Sequence, residues 1–324
     1  MTDPRPILIV GLPRSGTTWT LRALAGAAGT IALLEPDNED KYPAAIHGKH
    51  VVGRYPVLQP GDTARDYRDL WVWILGGAPE GRRARLARHL LGPGAVGRIH
   101  QGGRDPVTWL AGQLSRAPRA DPPPGPRQSG RIVAKSIHAQ LATEWLATQF
   151  DLDVLILLRH PANVLASWLE MNLKDARNST LESRPDIRAR YLEAWGVPLP
   201  GPDPVERMSW RIGLLTAAIE DAASRHPDWH LRTHESLCSD PTAEFRQLYA
   251  DLDLSWDEGS QAFLDEHNAP GSGFAVRRVA AELSDSWRQR LDDRQLSTLR
   301  RTLAQFPIAA WTDHDYEKGG TEGR

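Results

Sequence analysis

A glycine-bounded loop near the N-terminus constrains the fold of this chain more than any other feature. The apolar run Ile7–Val10 leads into Gly11-Leu-Pro-Arg-Ser-Gly16, and a helical pattern through Leu21 and Leu24 follows, ending near Gly29. A strand, a glycine loop and a helix in this order open the parallel sheet of nucleotide-binding α/β proteins. The glycine spacing predicts a loop whose backbone N–H groups surround an anion at a helix N-terminus.

Further strands alternate with helices, which predicts a P-loop-type α/β fold: a three-layer sandwich with a central parallel sheet and helices on both faces. Strands are predicted at residues 30–34, 131–135, 153–158 and 229–233, and helices at 67–75, 80–91, 141–150, 163–169, 207–224, 242–252 and 285–306. The run Asp153–Leu158 is the most apolar, as expected for a strand buried on both faces. We expect one domain over residues 1–311, with a loop-rich acceptor or lid insertion at about 36–130 and a flexible tail at 312–324.

Composition excludes several classes of protein. The 39 Lys and Arg residues nearly balance 41 Asp and Glu residues, which argues against a dedicated nucleic-acid binder. A single cysteine, Cys238, excludes an internal disulfide framework and a multi-cysteine metal site. No apolar stretch approaches the roughly 18 residues needed to cross a bilayer, and the N-terminus has no secretory pattern. We therefore expect a cytoplasmic protein without membrane insertion, and the abundance of Ala, Gly and Pro favours a bacterial source.

The residues after Gly16 distinguish this loop from that of a nucleotide triphosphatase. Such an enzyme would place Lys and then Ser or Thr there, for the phosphates and for Mg²⁺. This chain has Thr17 and Thr18 instead, and its cation, Arg14, lies inside the loop. The most apolar strand ends in Arg159 rather than in an acidic metal ligand. The loop is therefore predicted to bind an anionic nucleotide without a metal, with an ordinary strand-to-helix turn as the alternative.

At these residues the chain resembles the PAPS-dependent sulfotransferases, nearest to their bacterial, carbohydrate or small-molecule branch. Pro13-Arg-Ser-Gly-Thr-Thr-Trp19 resembles the family's 5′-phosphosulfate loop, and Arg159-His-Pro-Ala-Asn-Val-Leu-Ala-Ser167 is similar to its 3′-phosphate segment. His234-Glu-Ser-Leu-Cys-Ser-Asp-Pro241 is a looser match. The resemblance covers the nucleotide half well and residues 36–130 hardly at all. It implies 3′-phosphoadenosine 5′-phosphosulfate (PAPS) as donor, 3′,5′-ADP as product and no metal.

The resemblance also implies a role for each matching residue. The 5′-phosphosulfate would be held by amides and side chains of the loop, namely Arg14, Ser15, Gly16, Thr17 and Thr18. Arg159 and Ser167 would hold the 3′-phosphate, the arginine through a bidentate fork. Trp19 and His234 would lie near the adenine, although Trp19 is equally well a core residue. The pair Arg277-Arg278 loosely resembles a segment that folds over the 3′-phosphate, with a solvated arginine pair as the alternative.

Lys135 is a candidate for stabilising the leaving group. It ends a predicted strand at the edge where ligands bind in open α/β sheets. The family often has a lysine there, beside the oxygen that bridges phosphate and sulfate, and Arg14 would assist from the loop. The alternative is a lysine that reaches solvent.

The acceptor's proton requires a base, and two residues compete for that role. Glu35 follows the second strand and resembles the glutamate of carbohydrate sulfotransferases. His138 is displaced by one residue from the histidine of the family's Lys-Thr-His segment, and a shift of one along a strand reverses a side chain's direction. We therefore favour Glu35, with His138 second. Other possible bases are His47, His50, His100 or a further acidic residue that the sequence does not single out.

The acceptor is predicted to be a hydroxyl of a carbohydrate or another natural product, because the glutamate-type site resembles the carbohydrate branch. Five tryptophans are candidates for stacking on it, with core packing as the alternative: Trp71, Trp73, Trp109, Trp168 and Trp195. Two other functions remain open, a metal-dependent P-loop kinase of a small metabolite and a non-catalytic nucleotide-binding relative. The sequence gives no oligomeric state.

Overall fold

A five-stranded sheet, all parallel, forms the centre of the protein. The structure is a computed structural model that describes residues 4–76, 130–172, 181–267, 285–311 and 313–316. The strand order is β2-β3-β1-β4-β5. The strands are β1 (Ile7–Gly11), β2 (Thr30–Leu34), β3 (Arg131–Ser136), β4 (Asp153–Leu158) and β5 (His230–Thr233). All five predicted strands are present, with ends that differ by at most one residue.

Both faces of this sheet are covered, because alternate side chains of each inner strand enter different apolar clusters. In β1, Leu8 and Val10 join the larger cluster, whereas Ile7 and Ile9 join the smaller one. Helices contribute to each cluster, so the predicted three-layer α/β sandwich is confirmed. β4 is buried as predicted, although the middle position of the sheet belongs to β1.

The helices are α1 (Thr17–Leu24), α2 (Pro43–Lys49), α3 (Arg65–Leu75), α4 (Thr143–Gln149), α5 (Pro161–Glu170), α6 (Pro204–Arg225), α7 (His234–Ser239), α8 (Pro241–Asp251), α9 (Glu258–His267) and α10 (Asp293–Leu303). Shorter helical pieces are Gln140–Ala142, Leu181–Ser183, Pro185–Ile187, Arg188–Leu192, Glu193–Trp195, Ser286–Gln289 and Asp313–Tyr316. Three helices, α2, α7 and α9, have no counterpart among the predictions. The predicted helix at 80–91 and nearly all of the predicted 36–130 insertion beyond residue 76 lie outside the described residues.

The first helix ends earlier than predicted, at Leu24 rather than near Gly29. The hydroxyl of Thr30 donates to the carbonyls of Ala25 and Ala27, 3.2 and 2.8 Å away. These contacts satisfy carbonyl groups that would otherwise need a further helical turn. The chain is therefore ready to enter β2 directly after a short loop.

The carboxyl ends of all five strands meet at one edge of the sheet, as parallel pairing requires. Lys135 in β3 is in register with Ile9 of β1 and Leu34 of β2. On the other side of β1, Gly11 is in register with Leu157 of β4. The loops that follow the strands, and with them most of the candidate site residues, share this edge. Within the described residues, no helix combines the length and hydropathy that crossing a bilayer requires.

Candidate active site

The loop between β1 and α1 is a tight turn that is closed by hydrogen bonds to a backbone carbonyl. The N–H and the hydroxyl of Ser15 both donate to the carbonyl of Leu12, at 3.1 and 2.8 Å. Arg14 and Gly16 have positive φ angles of 74° and 90°. Arginine rarely adopts such a conformation, and strain of this kind concentrates at ligand-binding sites. The first-turn amides of α1, at Thr17 onward, have no acceptor within the helix and face this loop.

Gly16 lies against the ring of His234, the first residue of α7. A Cβ atom at Gly16 would stand 2.5 Å from Nδ1 of His234. Burial lowers the pKa of His234 well below its ordinary value, and the charge of Arg159 lowers it further. The ring is therefore neutral near pH 7, and it packs against the loop at Gly16. Cys238, one turn along α7, contacts His234 with Sγ 3.6 Å from Nε2.

Three side-chain contacts tie the loop to the segment that follows β4. Arg159 donates from Nη1 to the carbonyl of Arg14 at 2.7 Å, across 145 residues of chain. Nε of Arg14 donates to the hydroxyl of Ser167 at 2.9 Å, and the indole N–H of Trp168 donates to the carbonyl of Pro13 at 2.9 Å. The two motifs quoted from the sequence are therefore parts of one cluster in space.

Arg159 is a half-buried cation of this cluster. Burial lowers its pKa to about 10, with Glu235 acting in the opposite direction, so the guanidinium remains charged near pH 7. Its Nε atom is buried and has no hydrogen-bond partner among the described residues. Glu235 accepts hydrogen bonds from the N–H of His160 at 3.1 Å and the amide of Asn163 at 3.3 Å. The charge of Arg159 thus retains capacity for an anion.

Lys135 and Glu35 form an ion pair at the carboxyl ends of β3 and β2. Nζ of Lys135 donates to Oε1 of Glu35 and also lies 3.4 Å from the hydroxyl of Thr18. Lys135 is 2% exposed and Glu35 7% exposed. Glu35 has a positive φ of 52°, although its N–H still donates to the carbonyl of Lys135 at 2.8 Å. Lys135 therefore connects the start of α1 with Glu35, the residue favoured from the sequence as a candidate base.

The charges around Glu35 determine its ionisation. Burial alone would raise its pKa, but Lys135, Lys41 and Asn38 outweigh that effect and bring the pKa to about 2. Burial lowers the pKa of Lys135, with the charge of Glu35 opposing it. Nζ of Lys41 lies 2.5 Å from Oε2 of Glu35, and the amide of Asn38 donates to the same oxygen at 2.9 Å. Sequence reasoning did not single out Lys41 or Asn38.

His138 lies beyond the end of β3, so the alternation of strand side chains does not decide its direction. The hydroxyl of Ser136 accepts from the N–H groups of His138 and Ala139, both at 3.1 Å, and donates to Asp37 at 2.8 Å. These contacts turn the chain immediately after the strand. Nδ1 of His138 is 3.3 Å from Nζ of Lys49, within a buried cluster of charged groups.

This buried charge cluster contains Asp37, Glu39, Lys49, Arg54 and His138. Lys49 lies 3.1 Å from Oε2 of Glu39 and donates to the carbonyl of Asp37 at 2.8 Å. Nε of Arg54 donates to Oε1 of Glu39 at 2.8 Å. Burial raises the pKa of Asp37, with Lys49 opposing the change. The sequence analysis did not predict this cluster, although the charged run of residues 35–41 directly after a strand could have indicated it.

The remaining candidates have varied positions. Trp19 is half-buried between His234 and Phe245, with ring centroids 5.9 and 5.0 Å away, so it belongs to the smaller apolar cluster. The rings of His47 and His50 stack on each other near Asp66. Trp71 and Trp168 are buried in the core, and Trp73 and Trp195 pack against it at intermediate burial. The other candidates lie outside the described residues: His100, Trp109, Arg277 and Arg278.

Among the described side chains, no group of three or more His, Cys, Asp or Glu residues is arranged to hold a metal ion. Glu35 is paired with two lysines, and Glu235 accepts from the N–H of His160 just before α5. The site as described is therefore a set of cations and amide donors around a loop.

Comparison with known proteins completes this description. No protein-family profile matches the chain, and no curated protein matches it significantly. Among solved structures it is similar to the sulfotransferase domain from the curacin biosynthetic pathway, with a TM-score of 0.45, 16% identity, and 94% of this chain and 99% of that chain covered. It is also similar to the sulfotransferase domain of the Synechococcus PCC 7002 olefin synthase (TM-score 0.43, 16% identity, 94% and 95% covered) and to a sulfotransferase from Mycobacterium avium (0.42, 15%, 95% and 78%). Each of these similarities is low, with identities of 15–16%.

Proposed function

We propose that this protein is a PAPS-dependent sulfotransferase that transfers a sulfuryl group to a hydroxyl of a small molecule, of the carbohydrate or natural-product class. The observation that carries the proposal is the union of two anion-binding motifs. Arg159 contacts the backbone of Arg14, and Arg14 contacts Ser167, so the two segments that we propose to hold phosphates touch each other at the sheet edge. Lys135 reaches the same loop from a third strand.

The residues present fit such a donor. Positive φ angles at Arg14 and Gly16 shape the loop, and the buried Nε of Arg159 has no partner among the described residues. The loop amides with Arg14, Thr17 and Thr18 would hold the 5′-phosphosulfate. Arg159 and Ser167 would hold the 3′-phosphate, since a planar guanidinium can make two parallel contacts to a phosphate.

When bound, PAPS would supply an activated sulfuryl group for in-line displacement, in which positioning and charge stabilisation dominate catalysis. Lys135 would stabilise the charge that develops on the leaving oxygen. Glu35 would accept the acceptor's proton. A carboxylate held by two ammonium groups is a weak proton acceptor, so one of these contacts would have to break before Glu35 accepts a proton. Nζ of Lys135 is already 3.4 Å from the hydroxyl of Thr18, and movement of Lys135 toward Thr18 would free one oxygen of Glu35.

A second assignment of the base, His138, is supported by its place in the buried charge cluster. That cluster adjoins Glu35, since Asp37 lies two residues further along the chain and contacts Ser136. Replacing Glu35 by Gln and His138 by Asn in separate variants distinguishes the two. We expect Glu35→Gln to lower kcat by about 10²–10⁴-fold with unchanged affinity for 3′,5′-ADP. Full turnover in this variant together with loss in His138→Asn would transfer the role to His138.

Thermal unfolding with nucleotides tests the proposed function most directly. A ligand present at 100 times its dissociation constant adds about 2.7 kcal/mol to the free energy of unfolding. We expect 3′,5′-ADP to raise the melting temperature in the presence of EDTA. Stabilisation by ATP only when Mg²⁺ is added would instead support a metal-dependent kinase.

The acceptor is identified by incubating the protein with PAPS and a library of hydroxyl compounds, sugars and glycosylated natural products included. Formation of 3′,5′-ADP together with a sulfated product supports catalysis. Tight binding of 3′,5′-ADP with no product from any acceptor, and no release of sulfate to water, would support a non-catalytic relative.

We further propose that residues 1–311 form a single domain with an acceptor-side insertion.

A further inference from the structure

The two carboxylate oxygens of Glu35 have different partners. Oε1 contacts Lys135, which also reaches toward the anion-binding loop. Oε2 accepts from Nζ of Lys41 at 2.5 Å and from the amide of Asn38 at 2.9 Å. One oxygen is therefore connected to the proposed donor site, and the other is held by the chain segment that follows β2.

That segment is a compact turn built on the same residues. The N–H of Asn38 donates to the carbonyl of Glu35 at 3.0 Å, and the N–H of Lys41 donates to the carbonyl of Asn38 at 2.9 Å. The side-chain oxygen of Asn38 accepts from the N–H of Asp40 at 2.9 Å. Because backbone and side chain are tied together, the amide of Asn38 has little freedom to leave Oε2.

Lys41 differs from Lys135 in its access to solvent. Its side chain is 43% exposed, whereas that of Lys135 is 2% exposed. The charge of Lys41 acts on Glu35, with Nζ 2.5 Å from Oε2. The other charged groups that face Glu35 are Lys135 from β3 and Asp37 from the same turn.

We propose that Lys41, together with Asn38, is a positioning residue that fixes Oε2 of Glu35 and leaves Oε1 as the oxygen that receives the acceptor's proton. The inference rests on the proposed function. In the reaction the acceptor O–H bond breaks and its proton passes to Oε1, while the acceptor oxygen bonds to sulfur. The bond from sulfur to the bridging oxygen breaks, and its electron pair stays on that oxygen, next to the ammonium of Lys135. The contacts of Lys41 and Asn38 with Oε2 keep the carboxylate of Glu35 oriented after Lys135 has turned away.

The first test measures the ionisation of Glu35 without turnover. Carboxyl ¹³C resonances of labelled protein are titrated with 3′,5′-ADP bound, and Glu35→Gln identifies the resonance of Glu35. We expect Lys41→Met to raise the pKa of Glu35 by about one unit, a tenfold change in proton affinity. In Lys41→Arg the pKa of Glu35 should return most of the way to its wild-type value. Arg65→Met, which removes an exposed charge of α3 that is not among the groups shifting the pKa of Glu35, is the matched control. A Glu35 pKa that moves no more in Lys41→Met than in Arg65→Met would overturn the proposal.

The second test uses turnover of PAPS with an acceptor from the library, or with water if none is accepted. We expect Lys41→Met to lower kcat about tenfold, to shift the acid limb of the pH profile upward, and to leave the KM for PAPS unchanged. Lys41→Arg should recover kcat. Unchanged kcat and pH profile in Lys41→Met would overturn the positioning role. Failure of the wild-type protein to bind 3′,5′-ADP would instead overturn the proposed function, and the titration without nucleotide would still report whether Lys41 controls Glu35.

Discussion

Gly16 shows at the scale of one residue how the loop depends on neighbours that are distant in sequence. Its φ of +90° is unfavourable for residues with a Cβ atom, and a Cβ there would also meet the ring of His234. The neutral His234 ring has little room to withdraw because it is buried against Trp19 and Cys238. Glycine is therefore required by conformation and by packing at once.

Gly16→Ala is expected to lower the free energy of unfolding by more than Gly29→Ala does. Both glycines have positive φ, 90° and 73°, so both alanines bear backbone strain of about 1–3 kcal/mol. Only at Gly16 does the new methyl group meet another side chain, since nothing lies within 4 Å at Gly29. Urea unfolding of the two variants gives the difference directly. Equal losses would show that the His234 ring moves aside without cost.

Arg159→Ala is expected to weaken binding of 3′,5′-ADP by about 10²-fold, because a charge-assisted bidentate contact in a shielded site is worth about 2–3 kcal/mol. Arg159→Lys should bind at intermediate strength, since lysine keeps the charge and loses the fork. Titration calorimetry measures both affinities. Arg225→Ala, which removes a surface pair with Glu144, serves as control and should bind normally. Unchanged affinity in Arg159→Ala would remove this residue from the donor site.

At the scale of elements, α5 supports the loop between β1 and α1. Ser167 and Trp168 are adjacent on this helix, and they contact the side chain of Arg14 and the carbonyl of Pro13. The helix begins two residues after Arg159, which contacts the loop from the end of β4. Three contacts, from Arg159, Ser167 and Trp168, therefore hold the loop between β1 and α1 in its conformation in the ligand-free protein.

Trp168→Phe tests this support, because it keeps an aromatic ring in the core and removes the indole N–H that binds Pro13. We expect weaker binding of 3′,5′-ADP together with a loss of about 1 kcal/mol of stability. Trp145→Phe is a matched control, since Trp145 is equally buried and its N–H donates at 2.8 Å to the carbonyl of Asp62, away from the loop. It should lose similar stability and bind normally. Equal affinities in the two variants would contradict a role for α5 in preorganising the loop.

For the whole molecule, the pair of Glu35 and Lys135 links folding to pH. The pKa of Glu35 falls from 4.5 to about 2 on folding. A carboxyl whose pKa is lowered on folding stabilises the protein above its unfolded pKa, and this contribution is lost as the pH falls toward its folded pKa. The stability of the native sheet should therefore decline with acid over this range.

We expect the difference in the free energy of unfolding between wild type and Glu35→Gln to be constant above about pH 5 and to shrink between pH 4.5 and pH 3. Denaturant unfolding at a series of pH values measures the difference. Glu144→Gln provides a comparison, because Arg225 and His226 lower the pKa of Glu144 at a more exposed position. If the difference in the free energy of unfolding for Glu35→Gln does not depend on pH, the lysine partners do not lower the pKa of Glu35 on folding.

Much of the scaffold was predictable because local patterns define it. Apolar runs such as Asp153–Leu158 and the glycine spacing around Arg14 placed the strands and the loop. Arg159 and Lys135 were expected at the same edge because each ends a parallel strand, and the carboxyl ends of parallel strands meet. The early end of α1 at Leu24 was missed because the side chain of Thr30 decides it.

The amino-acid sequence by itself determined the parallel α/β architecture and the position of the glycine loop between β1 and α1, because both depend on periodicity and on glycine at fixed spacing. Only the tertiary structure decided which charges meet. Lys41 and Asn38 on Glu35, and Lys49 beside His138, have no pattern in sequence that separates them from solvated residues. Their interactions arise when the segment after β2 folds against the sheet, since burial makes a charged side chain take a partner that an exposed one does not need.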